Sequence, residues 1–192
     1  MKKKSRVVVI AIVCIAVILG AFWQITRSRG ASVEDTVELT EVQKVITKDL
    51  DANYPETPRE VVKTYNRIIS CFYDQSYTDD ELYDLGHQAR KLFDDELLES
   101  NPEDTYFDAL IADIAEYKEA SKTIVSSSVC DSNDVKYQTV DGDECAYVTA
   151  SYFINESKKY SRTNQTYVLR KDEDGKWKIL VFYKTEGDSQ NE

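Results

Sequence analysis

The chain has 192 residues, with 24 Lys and Arg against 35 Asp and Glu, a formal net charge of −11 and 42% hydrophobic side chains. Residues 1–29 carry six basic side chains and no acid, so residues 30–192 hold 18 basic against 35 acidic ones, a net charge of −17. Such a surface repels phosphate backbones and argues against nucleic-acid binding, while the outer ~160 residues suffice for one core.

In chain order, the first element is an apolar run at residues 7–25, nineteen positions without a formal charge. As a helix it is roughly 28 Å long, close to the ~30 Å hydrocarbon layer of a bilayer. It exceeds the ~7–15 apolar residues of a cleavable signal peptide, and Leu19-Gly20-Ala21 puts a bulky side chain where a cleavage site needs a small one. A lipoprotein needs its cysteine just after the run, but Cys14 lies inside it. The segment therefore predicts an uncleaved single-pass anchor. Lys2, Lys3, Lys4 and Arg6 precede it and only Arg27 and Arg29 follow, which keeps the N-terminus cytoplasmic and the bulk of the chain outside. The expected organisation is a basic tip and anchor at 1–29, a linker at 30–40, a folded domain at 41–186 and a disordered tail at 187–192.

Residues 39–50 read as a helix behind a Thr40/Gln43 capping box. The strongest local signal is Tyr54-Pro55-Glu56-Thr57-Pro58-Arg59-Glu60. Thr57 caps, Pro58 sits where its missing N–H costs nothing, and Glu60 is placed to reach back. The helix that follows lines up Val61, Tyr65, Ile68 and Phe72, widened by Val62, Ile69 and Tyr73, a breadth that implies burial. Thr78 with Glu81 opens another helix carrying Leu82, Leu85, Ala89, Leu92 and Phe93; Leu97-Leu98 belongs to a short turn after it. Asn101-Pro102 starts a third helix in which Phe107, Leu110, Ile111, Ile114 and Tyr117 share a face.

After Lys122 the apolar period falls from 3.6 to 2. Ala146, Val148, Ala150, Tyr152 and Ile154 alternate along one strand face, and Trp177, Ile179, Val181 and Tyr183 along another. Asp141-Gly142 and Asp174-Gly175 are hairpin signals, and 155–159 reads as a longer polar connection. Helices first and an antiparallel meander second predict an α+β domain of about three helices packed on a curved sheet. Ala146, Val148, Ala150, Tyr152, Trp177 and Tyr183 are the expected core-lining face. Of the cysteines outside the apolar run, Cys71, Cys130 and Cys145 have no CxxC spacing; they suit either buried apolar positions or one disulfide with a leftover thiol.

This arrangement resembles the NTF2-like superfamily, a cone of helices on a strongly bent sheet. The matching features are the capped helix after Thr57-Pro58, the strand Ala146-x-Val148-x-Ala150-x-Tyr152, and Tyr167-x-Leu169-Arg170-Lys171 with Asp174-Gly175-Lys176-Trp177-Lys178-Ile179. With the N-terminal span, the chain is similar to anchored bacterial proteins carrying such a domain. The resemblance implies a cone and a pocket, not a reaction. Its enzymes set an Asp or His against Tyr hydroxyls inside the cone. Here no acid alternates with the sheet tyrosines; Asp141, Asp143, Asp172, Glu173 and Asp174 fall in turns. His87, the one histidine, neighbours the apolar side of its helix.

The sequence thus predicts a membrane-anchored, extracytoplasmic and non-catalytic domain. Its partners would be the membrane, through residues 7–25, and an envelope protein or small ligand. Tyr65, Tyr152, Tyr167, Trp177 and Tyr183 are the ligand-pocket candidates, with no catalytic residue, metal or cofactor. Two alternatives stay open: a subunit of an envelope secretion or conjugation machine, and an NTF2-like enzyme doing acid–base chemistry in the cone.

Overall fold

Residues 38–185 are described by the computed structural model, and within them the helices precede the strands. The α1 helix (Glu41–Ile46) starts with the full Thr40/Gln43 capping box. It is a helix of six residues, because the backbone turns after Thr47 and leaves Leu50 to reach the core from a loop. In α2 (Pro58–Asp74), Thr57 accepts the amide of Glu60 and Pro58 occupies the first turn. The α3 helix (Asp79–Arg90) has both bonds of the Thr78/Glu81 box. Leu97-Leu98 sits in a separate short helix, α4 (Asp95–Ser100), capped by Asp94. The α5 helix (Glu103–Glu119) follows Pro102 and buries only Phe107 and Ile114 fully. Ile111, expected on the same face, is 43% exposed, since α5 touches the domain along a narrow strip.

Five antiparallel strands form one sheet: β1 (Lys122–Val129), β2 (Lys136–Val140), β3 (Asp143–Glu156), β4 (Lys159–Lys171) and β5 (Trp177–Thr185). The path is β1-β3-β4-β5, and β2 shares with β1 the same side of the long β3. β1 pairs with the half of β3 from Ala150 to Glu156, and β2 with the half from Asp143 to Tyr147. An α+β architecture with an antiparallel sheet is therefore present. Asp141-Gly142 and Gly175 turn their hairpins with positive φ, which glycine adopts at no steric cost. The β3–β4 connection is tighter than expected: Ser157 and Lys158, at φ 47° and 72°, make a two-residue turn in which the Lys158 amide donates to Asn155 Oδ1 at 3.1 Å.

The alternation expected along β5 breaks at a bulge. Val168 pairs with Val181 but Leu169 pairs with Ile179, leaving Leu180 as an extra residue. Trp177 and Ile179 point to the core; beyond the bulge the parity inverts. Phe182, opposite the buried Tyr167, faces inward. Tyr183, opposite Thr166, lies on the outer face and is 47% exposed. The expectation that Tyr183 lines the core is corrected on this ground.

The core lies between α2, α3 and the inner sheet face, with Val61, Val62, Ile68, Leu85, Val148, Tyr167 and Leu169 almost free of solvent. Two contacts far apart in sequence lock the layers together. The Arg170 guanidinium clamps the buried Asp94 carboxylate, Nε to Oδ2 at 3.0 Å and Nη2 to Oδ1 at 2.5 Å. Residues 92–94 cover the edge of β5, the Asp94 amide donating to the Ile179 carbonyl and the Ile179 amide to that of Leu92. Gly86 lets α3 approach α5: a Cβ there would stand 2.6 Å from Phe107 Cζ. Among the described residues no helix is long and apolar enough to cross a membrane. The span expected at residues 7–25 lies outside them, as does the tail at 187–192.

Candidate functional site

An open cleft of about 710 Å³ runs between α2, α5 and the inner face of the sheet. The helix spacing that buries Tyr65 and Phe72 also brings Ile69 and Tyr73 to this side of α2. α5 contributes Tyr106, Leu110, Asp113 and Tyr117. From the sheet come Ile124, Tyr152, Ile154, Gln165 and Phe182, the last turned inward by the Leu180 bulge. Seven aromatic residues stand in the wall among aliphatic, polar and charged ones. Tyr65 lies edge-on to Tyr167 at 5.8 Å, Tyr167 meets Phe182 at 5.5 Å and Tyr73 meets Tyr117 at 4.3 Å between centroids.

The floor is polar and mostly buried. The Tyr152 hydroxyl contacts Asn66 Oδ1 at 2.5 Å and the Tyr167 hydroxyl at 2.6 Å, and Tyr167 reaches Gln165 Oε1 at 2.9 Å. Burial is the main reason the Tyr152 hydroxyl is pushed up to about 12, and burial holds Tyr65 and Tyr167 still more firmly neutral. These phenols are hydrogen-bonding groups rather than proton carriers at neutral pH. At the mouth, the Tyr73 hydroxyl donates to Asp113. Burial, then this carboxylate, pushes the Tyr73 hydroxyl far above its ordinary range. Asp113 itself stands in solvent, as do Glu116 and Glu156; Lys122 faces Glu156 at 3.9 Å. The rim therefore carries both signs of charge around an aromatic interior.

Of the five pocket candidates read from the sequence, Tyr65 and Tyr152 line this cleft. Tyr167 lies directly behind them, without exposed surface, as the link between Tyr152 and Gln165. Trp177 is buried at the other end of the sheet, edge-on to Tyr137 at 5.8 Å, and its carbonyl accepts from the Tyr54 hydroxyl at 2.8 Å. Tyr183 is on the opposite face of the sheet, away from the cleft. Sequence reading missed Tyr73, Tyr106, Asp113 and Phe182. Tyr73 was legible as the edge of the α2 stripe, but its meeting with Asp113, 40 residues on, was not. His87 is exposed on α3, 4.0 Å from Glu103 and edge-on to Phe107, outside the cleft lining. Cys71 and Cys145 are buried and Cys130 half-buried; all three are free thiols, and burial pushes Cys71 up to about 11. No cluster of three or more His, Cys, Asp or Glu side chains able to hold a metal occurs among the described residues.

Comparison with protein families gives one match: the model described as Domain of unknown function (DUF6715) covers residues 1–182. The chain belongs to this DUF6715 family. No curated protein matches it. The family model runs through the apolar segment and the α+β unit as far as Phe182 in β5, so it takes in every residue lining the cleft except Lys184.

Proposed function

We propose that this DUF6715 chain is a membrane-tethered, extracytoplasmic module with an NTF2-like cone that binds a small ligand in its aromatic cleft without turning it over. The single observation that carries the reading is the cleft: an open, partly aromatic space of about 710 Å³, inside the ~300–1,000 Å³ range of small-molecule sites. Its inner hydroxyls are already partnered by one another and by Asn66 and Gln165. A ligand thus meets ring faces and a charged rim. The tether rests on the length and flanks of residues 7–25.

The test is native mass spectrometry of the full-length chain purified from the cells that make it. A bound mass that disappears in Tyr65→Ala and Phe182→Ala variants supports the reading. An unliganded protein, with cleft variants indistinguishable from wild type in every ligand screen, refutes it. Topology is tested separately by labelling a cysteine at the exposed Ser132 with an impermeant thiol reagent. The wild type is the control, since its described thiols are buried or half-buried. Labelling only after lysis places the domain inside and refutes the extracytoplasmic part.

Two observations favour other readings. Val181 and Tyr183 are both exposed on the outer face of the edge strand β5, which suits a subunit of an envelope assembly; co-purification of other membrane proteins, abolished by Val181→Asp, supports it. The Tyr73–Asp113 pair is a carboxylate and a phenol in contact, the geometry an acid–base enzyme of this fold uses. Asp113 is solvated, however, and a general base of that kind needs desolvation. Turnover of any compound, lost in Asp113→Asn, would favour that enzyme.

A further inference from the structure

The face of α2 next to the aromatic cleft is unlike the rest of the domain. In a chain of net charge −11, it presents Arg59, Lys63 and Arg67 at successive helical turns, with Asn66 and Ser70 on either side of Arg67 in sequence. These residues, with Glu41 of α1 as the one acid and Ser127 of β1, line a second cleft of about 470 Å³, separate from the first. The bulge in β1 between Ile124 and Ser126 sets Ser127 opposite the inward-facing Tyr152, on the side of the sheet that α2 covers.

Two features make this more than a solvated basic stripe. Asn66 is 4% exposed; its Oδ1 is taken by Tyr152, and its Nδ2 has no partner. A buried amide donor is costly to leave unpaired, so it marks a place where an acceptor belongs. The cations, moreover, are only partly neutralised. Arg67 bonds Glu41, and Arg59 spends its Nε on the Cys130 carbonyl at 2.6 Å while a distant Asp131 lies at 3.8 Å. Lys63 makes no ion pair among the described residues.

We propose that this cleft binds a phosphate group. The donors are a guanidinium, an ammonium, a buried amide and serine hydroxyls, arriving from a helix on one side and a strand on the other. A tetrahedral oxyanion offers acceptors in several directions and can meet them together; a planar carboxylate cannot. The site lies on a different side of α2 from the aromatic cleft and is joined to it by the Tyr152–Asn66 hydrogen bond, but its recognition of phosphate does not rest on the ligand proposed there.

The test is a titration of the isotope-labelled full-length chain in mild detergent, reading the Asn66 side-chain amide by NMR. Inorganic phosphate, glycerol 3-phosphate and acetate are the probes. Saturable shifts of that amide with either phosphate are expected, with acetate weaker by roughly tenfold or more. Tighter binding of glycerol 3-phosphate identifies an esterified phosphate as the natural source, and tighter inorganic phosphate the free ion. Lys63→Gln should weaken phosphate by roughly tenfold with unfolding temperature unchanged, because Lys63 holds no structural contact. Arg67→Gln should weaken it similarly while also releasing Glu41. The proposal is overturned if the Asn66 amide does not respond, if acetate binds as well as phosphate, or if binding survives unchanged in a Lys63→Gln/Arg67→Gln double variant.

Discussion

Replacing Arg170 by Met should do more damage than its position on a strand suggests. Arg170 holds Asp94 by two charge-assisted hydrogen bonds, and the Asp94 side chain is 6% exposed. The variant leaves a carboxylate buried beside β4 with only the Glu96 amide, at 3.0 Å, to satisfy it. Breaking a buried pair from one side costs about 3–5 kcal/mol. Arg170 is itself 26% exposed, so water can enter where the guanidinium stood, and the lower end, about 3 kcal/mol, is the estimate to test. For a domain of this size that loss lowers the unfolding midpoint by roughly 6–12 °C. Near-ultraviolet circular dichroism during a thermal ramp measures it. Asp94 also caps α4 and leads the segment that covers β5 at Ile179, so the signal should be lost as one transition. An Asp94→Leu/Arg170→Met double variant, with no charge left to strand, should be less harmful than Arg170→Met, apart from about 1 kcal/mol for the lost cap. A single variant within 0.5 °C of wild type would refute the claim that the clamp joins the helical layer to the sheet.

Gly86→Ala pits helix propensity, worth up to ~1 kcal/mol, against a methyl driven into the Phe107 ring, and overpacking costs about 1–3 kcal/mol. Net destabilisation is expected in urea melts, and Phe107→Leu in the same chain should relieve part of it. Tyr152→Phe removes the one hydrogen-bond partner of the Asn66 side chain and should cost about 1–3 kcal/mol, whereas Tyr167→Phe costs less because Gln165 can turn to solvent in the cleft. A double-mutant cycle at positions 152 and 167 measures their coupling. Burial pushes the Asp74 carboxyl up, against the pull of its bond from the Ile124 amide at 2.9 Å. A raised carboxyl pKa means the folded state binds the proton more tightly, so the charge lowers stability at neutral pH and the penalty vanishes as pH falls through the folded value. Asp74→Asn keeps the acceptor for Ile124 and should raise the melting temperature at pH 7, with the gain gone below the ~3.9 of an ordinary aspartate.

What could be read from the chain was what neighbours in sequence decide. Thr40/Gln43, Thr78/Glu81 and Thr57-Pro58 start helices by bonds or backbone angles within one turn, and all three starts are present. The Ala146–Tyr152 alternation needs only the pleat, and its inward residues are buried. What escaped depends on the partner strand or on distant residues. The Leu180 bulge is a two-against-one count that β5 alone does not contain, yet it decides that Phe182 and not Tyr183 meets the cleft. Ser157-Lys158 takes positive φ without glycine, so its turn carried no signal. Asp94 and Arg170 lie 76 residues apart, and nothing local to either announces the pair. The cleft itself was half legible: Tyr65 and Tyr152 sit on apolar stripes, while α5, which closes its far wall, has too narrow a buried face to predict its placement.

The claim on which the account turns is that the aromatic cleft receives a ligand. A crystal structure of the full-length chain purified from its own cells, without added compounds, tests it most directly. The account predicts continuous density for a single molecule against Tyr65, Tyr152 and Phe182. A cleft holding only water, in a protein whose native mass is that of the bare chain, would contradict it.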